Sequence, residues 1–246
     1  MSIFVDYSIA DNLATLTLND PDRLNCFSEQ MVSELHSALD SAERDSVRHI
    51  VFKAHGKGFS GGLDLSGLDN ESDADLLMRL VRIEQLLQRV RHHCSSTMAL
   101  VHGACYGAAA DLVLACRSRV ATPDARFLMP GMRFGIVLGT KRLRDTLGES
   151  TAYRLLDRLK PFDSEEGLKT GFLTLVAQQD EWSATISNNV TLLSQYTAEA
   201  YSTRMQVLTP DTRDCDMATL VTSLTNGSIK QRLVAYVSSM KQQKRK

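Results

Sequence analysis

The chain has 246 residues, 43% apolar and 23% charged, and its 28 Lys and Arg against 29 Asp and Glu leave a net charge of −1. That is the length of one large α/β domain, or of one domain with a helical appendage, and the balance excludes a disordered or collagen-like chain. It also gives no electrostatic reason to expect a nucleic-acid partner, and no run approaches the ~18 continuous apolar residues of a membrane span.

Residues 3–9 and 13–18 alternate as two strands of a hairpin turning at Asp11-Asn12. The break Asn19-Asp20-Pro21-Asp22 leads to a helix for which Ser28 is the candidate cap. Met31, Leu35, Ala38, Leu39 and Ala42 supply its apolar stripe. His49–Ala54 reads as a buried strand running into the loop His55-Gly56-Lys57-Gly58-Phe59-Ser60-Gly61-Gly62. An acidic surface loop is expected over 69–75 and an amphipathic helix over 76–90. A second buried strand, 97–101, is followed by the small-residue helix 107–115, and 119–122 and 125–128 read as further strands. Strand, glycine loop and helix in repetition is the rhythm of a parallel sheet. Beyond Leu138 helices are expected at 139–147, 150–159, 164–169, 180–207 and 228–243, interrupted by a strand at 174–176. The expected division is therefore a core over 1–190 and a helical C-terminal region over 191–246.

The amino terminus shows no basic segment followed by an apolar run, so a cytoplasmic protein is expected. Cys26, Cys94, Cys105, Cys116 and Cys215 are odd in number and form no CxxC pair. They point to buried free thiols rather than to a disulfide framework or a zinc site, and no metal is expected.

Two junctions share one local design. At 50–68 and at 97–116 a buried strand ends in a small-residue loop and a helix follows. The first turn of a helix has unsatisfied N–H donors, and its dipole adds positive potential. Two such junctions on neighbouring strands can aim two N–H groups at one oxygen, as an oxyanion hole does. Gly61 and Gly62 permit the close approach and Leu63 offers one N–H; Gly107 permits the second turn and Ala108 offers the other. The alternative is that these small residues only let helix and strand pack closely. A phosphate cradle is not indicated, since GxxxxGK[ST] is absent, and neither is a nucleophile elbow, since GxSxG is absent. A Ser60 pair with His55 or His102 is the residual hydrolase reading.

The residues Asn19-Asp20-Pro21-Asp22-Arg23-Leu24-Asn25-Cys26-Phe27, Phe59-Ser60-Gly61-Gly62-Leu63-Asp64-Leu65, His102–Leu112 and Ser164–Leu173 are similar, in order, to four motifs of one family. The chain resembles the crotonase superfamily, the enoyl-CoA hydratase/isomerase family. The resemblance implies a ClpP/crotonase-like α/β spiral of ββα units with a helical trimerisation region, as a homotrimer or dimer of trimers. It implies an acyl-CoA thioester as substrate, with no other cofactor, held at its carbonyl by the N–H groups of Leu63 and Ala108. Arg23 and Leu24 would lie beside the CoA, and Gly61, Gly62, Leu65 and Gly107 would complete the contacts. The basic tail Lys241–Lys246 would either reach CoA phosphates of a neighbouring subunit or remain a solvated helix end.

The departures from the family matter for the chemistry. Its two glutamates fall at Asp111, a shorter acid, and at Gly131, which holds no proton. The glycine-rich turn that follows is shortened to Ile136-Val137-Leu138-Gly139-Thr140. Asp111 is the candidate acid/base, its other reading being a local helix-start hydrogen bond. Glu149, Asp145, His55 and His102 are candidate substitutes without a spacing argument. Two expectations follow: an enolate-stabilising enzyme of the hydratase/isomerase type, or an acyl-CoA-binding protein impaired by Gly131.

Overall fold

A computed structural model describes residues 4–158 and 160–243. Strands β1 (Val5–Ala10) and β2 (Leu13–Leu18) form the expected antiparallel hairpin. Asp11 and Asn12 take φ of 48° and 62°, the left-handed pair that suits a two-residue hairpin turn. Helix α1 (Glu29–Arg44) starts where Ser28 Oγ accepts from Met31 N at 3.1 Å, and its expected stripe is wholly buried. Strand β3 (His49–Ala54) leads to α2 (Asp73–Arg91), and β4 (Ser96–Val101) to β5 (Ala104–Tyr106) and α3 (Ala108–Ala115). Then come β6 (Ser118–Ala121), β7 (Arg126–Leu128), α4 (Thr140–Leu147) and α5 (Glu149–Leu156). After β8 (Phe162–Asp163), α6 (Ser164–Thr170) and β9 (Leu175–Val176), the helices α7 (Trp182–Leu193), α8 (Ala198–Leu208), α9 (Arg213–Leu224) and α10 (Ile229–Gln243) close the described chain.

Among the described residues the strands make two sheets, in orders β1-β2-β3-β4-β6-β9 and β5-β7-β8. The larger sheet is parallel from β2 onward. Single bridges Phe27–Leu63 and Ser60–Cys105 extend the smaller one. Each turn of the chain therefore gives one strand to the large sheet, one short segment to the small sheet, and one helix packed against them. That is the expected spiral of ββα units.

The core between the sheets and α1–α3 holds Phe27, Phe52, Phe59 and Leu112 with almost no exposure. A second core joins α2 to the C-terminal helices through Leu76, Leu80, Leu220, Leu224 and Leu233. Burial of each such side chain stabilises by roughly 1.5–3 kcal/mol, so α9 and α10 are fastened to the spiral rather than appended to it.

Several expectations need correction. The acidic stretch 69–75 is not an open loop: Ser72 and Asp75 form a reciprocal capping box and α2 begins at Asp73. The single helix expected over 180–207 is two, because Thr197 Oγ1 accepts from Ala200 N and starts α8 afresh. The sequence pattern does not predict strands β5 and β8 or helix α9. All five cysteines are free, but only Cys105 and Cys116 are buried; Cys94 and Cys215 are exposed. Of the basic tail Lys241–Lys246, the three residues Lys244, Arg245 and Lys246 lie outside the described residues.

Candidate active site

The first loop crosses the start of α3. Phe27 N donates to Gly62 O at 2.7 Å and Asp64 N to Phe27 O at 3.3 Å. In such a parallel bridge the middle residue's own N–H points to the opposite side, so Leu63 N–H faces away from Phe27. A Cβ on Gly62, whose φ is 82°, would lie 2.2 Å from Tyr106 O and 3.2 Å from Ala108 N. Only glycine permits this approach, which sets the loop directly against the first turn of α3. Gly107, at φ 55° and ψ −127°, turns the chain into that helix without a side-chain cap. The first helical bond closes from Asp111 N to Gly107 O, and among the described residues neither Leu63 N nor Ala108 N donates a backbone hydrogen bond.

Both residues line one cavity of about 240 Å³, together with Gly61, Leu65, Gly107 and Asp111. The rest of its wall is mostly apolar, with Leu80 of α2, Met129, Phe134, Ile136 and Leu138, and is closed by Tyr236 and Met240 of α10. Arg232 holds α10 there by donating to Phe134 O and Gly135 O, at 3.1 and 2.9 Å, and the Tyr236 ring stands 4.7 Å from Phe134. Larger grooves of 540 and 620 Å³ open elsewhere on the surface, but none of the residues at the two glycine junctions lines them.

Asp111 is the one carboxylate lining the cavity among the described residues. It is 5% exposed and its Oδ1 has no hydrogen-bond partner among the described residues. Burial pushes its pKa up to about 7, with Arg142 pulling the value down and Glu84 pushing it up. Gly139 touches it so closely that a Cβ there would sit 1.7 Å from Oδ1.

The other sequence candidates sit elsewhere. Gly62 packs behind the cavity wall. Arg23 binds Asp64 and donates to Ser66 Oγ at 2.8 Å, and Leu24, at φ 51°, accepts from Gly61 N through its carbonyl; neither lines the cavity. Asp64 also accepts from Ser66 N, so it braces the loop. Asp145 is engaged by Lys141 and Arg144, His102 Nε2 bonds Gly56 O, and His55 Nε2 faces Asp6. Ser60 Oγ donates to Asn25 O at 2.7 Å and accepts from Gly62 N, which removes it as a nucleophile. Tyr106 and Thr140, which lie within the quoted motifs without being singled out there, and Tyr236 are polar wall residues.

The profile of the enoyl-CoA hydratase/isomerase family matches residues 8–242. The chain belongs to that family. A probable enoyl-CoA hydratase of Bacillus subtilis is 31% identical over 72% of this chain and 70% of the relative. The trans-2-decenoyl-[acyl-carrier-protein] isomerase of Streptococcus mutans is 27% identical over 79% and 77%. Among solved structures, a Bordetella parapertussis protein assigned as an enoyl-CoA hydratase/isomerase superposes with a TM-score of 0.93 at 37% identity, covering 96% of this chain and 99% of that one. An enoyl-CoA hydratase from Bacillus halodurans shares the fold, with a TM-score of 0.84 at 23% identity over 95% of this chain and all (100%) of that one.

Within this family framework the shortened turn acquires a physical reading. Ile136 N donates to Gly131 O at 2.9 Å, and a Cβ on Gly131 would lie 2.8 Å from Ile136 O. The turn closes back onto Gly131 and occupies the space where a longer side chain would begin.

Proposed function

We propose that the protein isomerises the double bond of an apolar enoyl thioester, with Asp111 as the one group that both removes and returns the proton. The observation that carries this reading is the solitary carboxylate in a cavity otherwise lined by apolar side chains, glycines, Thr140 and two tyrosines. Leu63 N–H and Ala108 N–H would hold the thioester oxygen, where such donors are worth ~3–4 kcal/mol each to an enolate. Ionised Asp111 takes a proton from C2 of a 3-enoyl thioester. The C–H electron pair becomes the enolate, and its oxygen carries the negative charge. The same carboxyl then protonates C4, the carbonyl re-forms and the double bond lies between C2 and C3. No proton is gained or lost overall. A pKa near 7 suits a group that must act both as base and as acid.

Hydration asks for more: a base for water as well as an acid for the α-carbon. Gly131 supplies neither. That the Streptococcus mutans relative is an isomerase of a carrier-bound enoyl chain supports the same chemistry here. The apolar wall suits an unfunctionalised hydrocarbon chain. Self-association belongs to the proposal, since Leu192, Val207 and Leu208 stand exposed on α7 and α8.

The test is to incubate purified protein with trans-3-hexenoyl-CoA and follow appearance of the conjugated thioester absorbance, with crotonyl-CoA as the hydration control. The expected result is a rise with the first substrate and no loss with the second. Loss of crotonyl-CoA absorbance would overturn the assignment in favour of a hydratase. No change with either, together with thermal stabilisation by CoA esters, would establish an acyl-CoA-binding protein instead.

A further inference from the structure

Behind the cavity floor three charged side chains from three helices are shut away from solvent. Glu84 of α2 is fully buried, and Arg142 of α4 and Asp216 of α9 are each 4% exposed. Arg142 donates to both Glu84 oxygens, at 2.9 and 2.6 Å, and its Nη1 lies 3.4 Å from Asp216 Oδ2. Gln88 Nε2 donates to Glu84 Oε1 at 2.9 Å and Thr212 Oγ1 to Asp216 Oδ2 at 2.7 Å. One cation between two carboxylates is a poor device for stability alone, because apolar residues of equal volume often serve as well or better.

Its location suggests another use. Helices α2 and α4 both pack on α3, which carries Asp111. Gly139, the residue in contact with Asp111 Oδ1, is the start of α4, three positions before Arg142. Arg142 Nη2 also reaches back to Leu138 O at 3.5 Å. The guanidinium thus ties the 138–139 stretch to α2, and that stretch presses on the carboxyl. The ionisable groups around Asp111 are Glu84 from α2, Arg142 from α4, the buried Cys105 thiol from β5, and Tyr106 and Tyr236 in the cavity wall. Burial raises Cys105 well above its usual range, so that thiol stays neutral.

We propose that Glu84, Arg142 and Asp216 form the positioning cluster of Asp111, fixing the α4 start against its carboxyl and balancing the charge it meets. The inference rests on the role given to Asp111 above. Arg142 pulls the Asp111 pKa down and Glu84 pushes it up, while Asp216 holds the far side of the Arg142 guanidinium.

The test is a titration of the Asp111 carboxyl by 13C-aspartate NMR, assigned with Asp111→Asn, in the parent chain and in Glu84→Gln, Asp216→Asn and Arg142→Lys. The pH profile of 3-hexenoyl-CoA isomerisation is read in parallel. Glu84→Gln keeps the shape and removes one negative charge, so the midpoint should fall by about one pH unit, the low end of what a nearby full charge does. Asp216→Asn should move it less and in the same direction. Arg142→Lys keeps the charge and should leave the midpoint in place while lowering the melting temperature. Unmoved midpoints in folded Glu84→Gln and Asp216→Asn would overturn the proposal; if Glu84→Gln does not fold, Asp216→Asn decides. The titration needs no turnover. An inactive parent with shifting midpoints would defeat the isomerase reading alone, and an active parent with fixed midpoints would defeat the cluster alone.

Discussion

Replacing Asp111 with asparagine removes one ionisable group and almost no volume, so the variant isolates a charge. The carboxyl is buried, one of its oxygens has no partner among the described residues, and its pKa moves from 3.8 to about 7 on folding. The folded chain therefore binds this proton more tightly than the unfolded one. Its contribution is fully favourable below the unfolded value, falls as pH rises from there toward about 7, and is constant above. At ~1.4 kcal/mol per pH unit the penalty for the ionised form totals roughly 4 kcal/mol. An asparagine amide does not titrate, so the variant has no such dependence. The stability of Asp111→Asn relative to the parent should therefore increase by roughly 3 kcal/mol between about pH 5 and pH 8. Urea unfolding of both proteins at the two pH values and one protein concentration measures it. At pH 8 the variant should also lose about 10²–10⁴-fold in isomerase turnover. A stability difference that stays flat across this interval would show that Asp111 ionises as an ordinary carboxylate, and the acid/base argument would fail with it.

Three further outcomes follow from the same geometry. If ionised Asp111 is the base, as proposed, the kcat/KM for 3-hexenoyl-CoA should rise with pH through about 7; a profile level from pH 5 to pH 9 would remove Asp111 from the rate. Gly62→Ala places a methyl 2.2 Å from Tyr106 O at a positive φ, so it should part the two loops and cost on the order of 10²-fold in kcat, read by steady-state kinetics beside a melting curve. Gly131→Glu should not create a hydratase: its Cβ would meet Ile136 O at 2.8 Å, so the expected result is a lowered melting temperature and no consumption of crotonyl-CoA.

What the sequence reveals is what local rules control. Ser28 caps α1, the five-residue stripe of α1 is buried, and Asp11-Asn12 turns the hairpin, because capping, periodicity and turn chemistry act within a few residues. Strands β5 and β8, three and two residues long, are held by partners distant in the chain and leave no periodic trace. Helix α9 carries small polar residues on most faces, and only Leu220, Leu224 and two polar side chains are buried. At the site, Leu63, Ala108 and Asp111 fall in one cavity, whereas Arg23 is committed to Asp64 and Ser66. The Glu84 cluster did leave a signal. A glutamate sits among Leu80, Ile83 and Leu87 on the buried face of α2, and a charge inside an apolar stripe asks for a buried partner.

Tyr236 and Met240 complete the cavity from α10, the last described helix, more than a hundred residues after the glycine junctions that begin it. During synthesis the glycine junctions are made early and the α10 wall late. A nascent chain lacks this side of the cavity until α10 has left the ribosome and docked on Phe134.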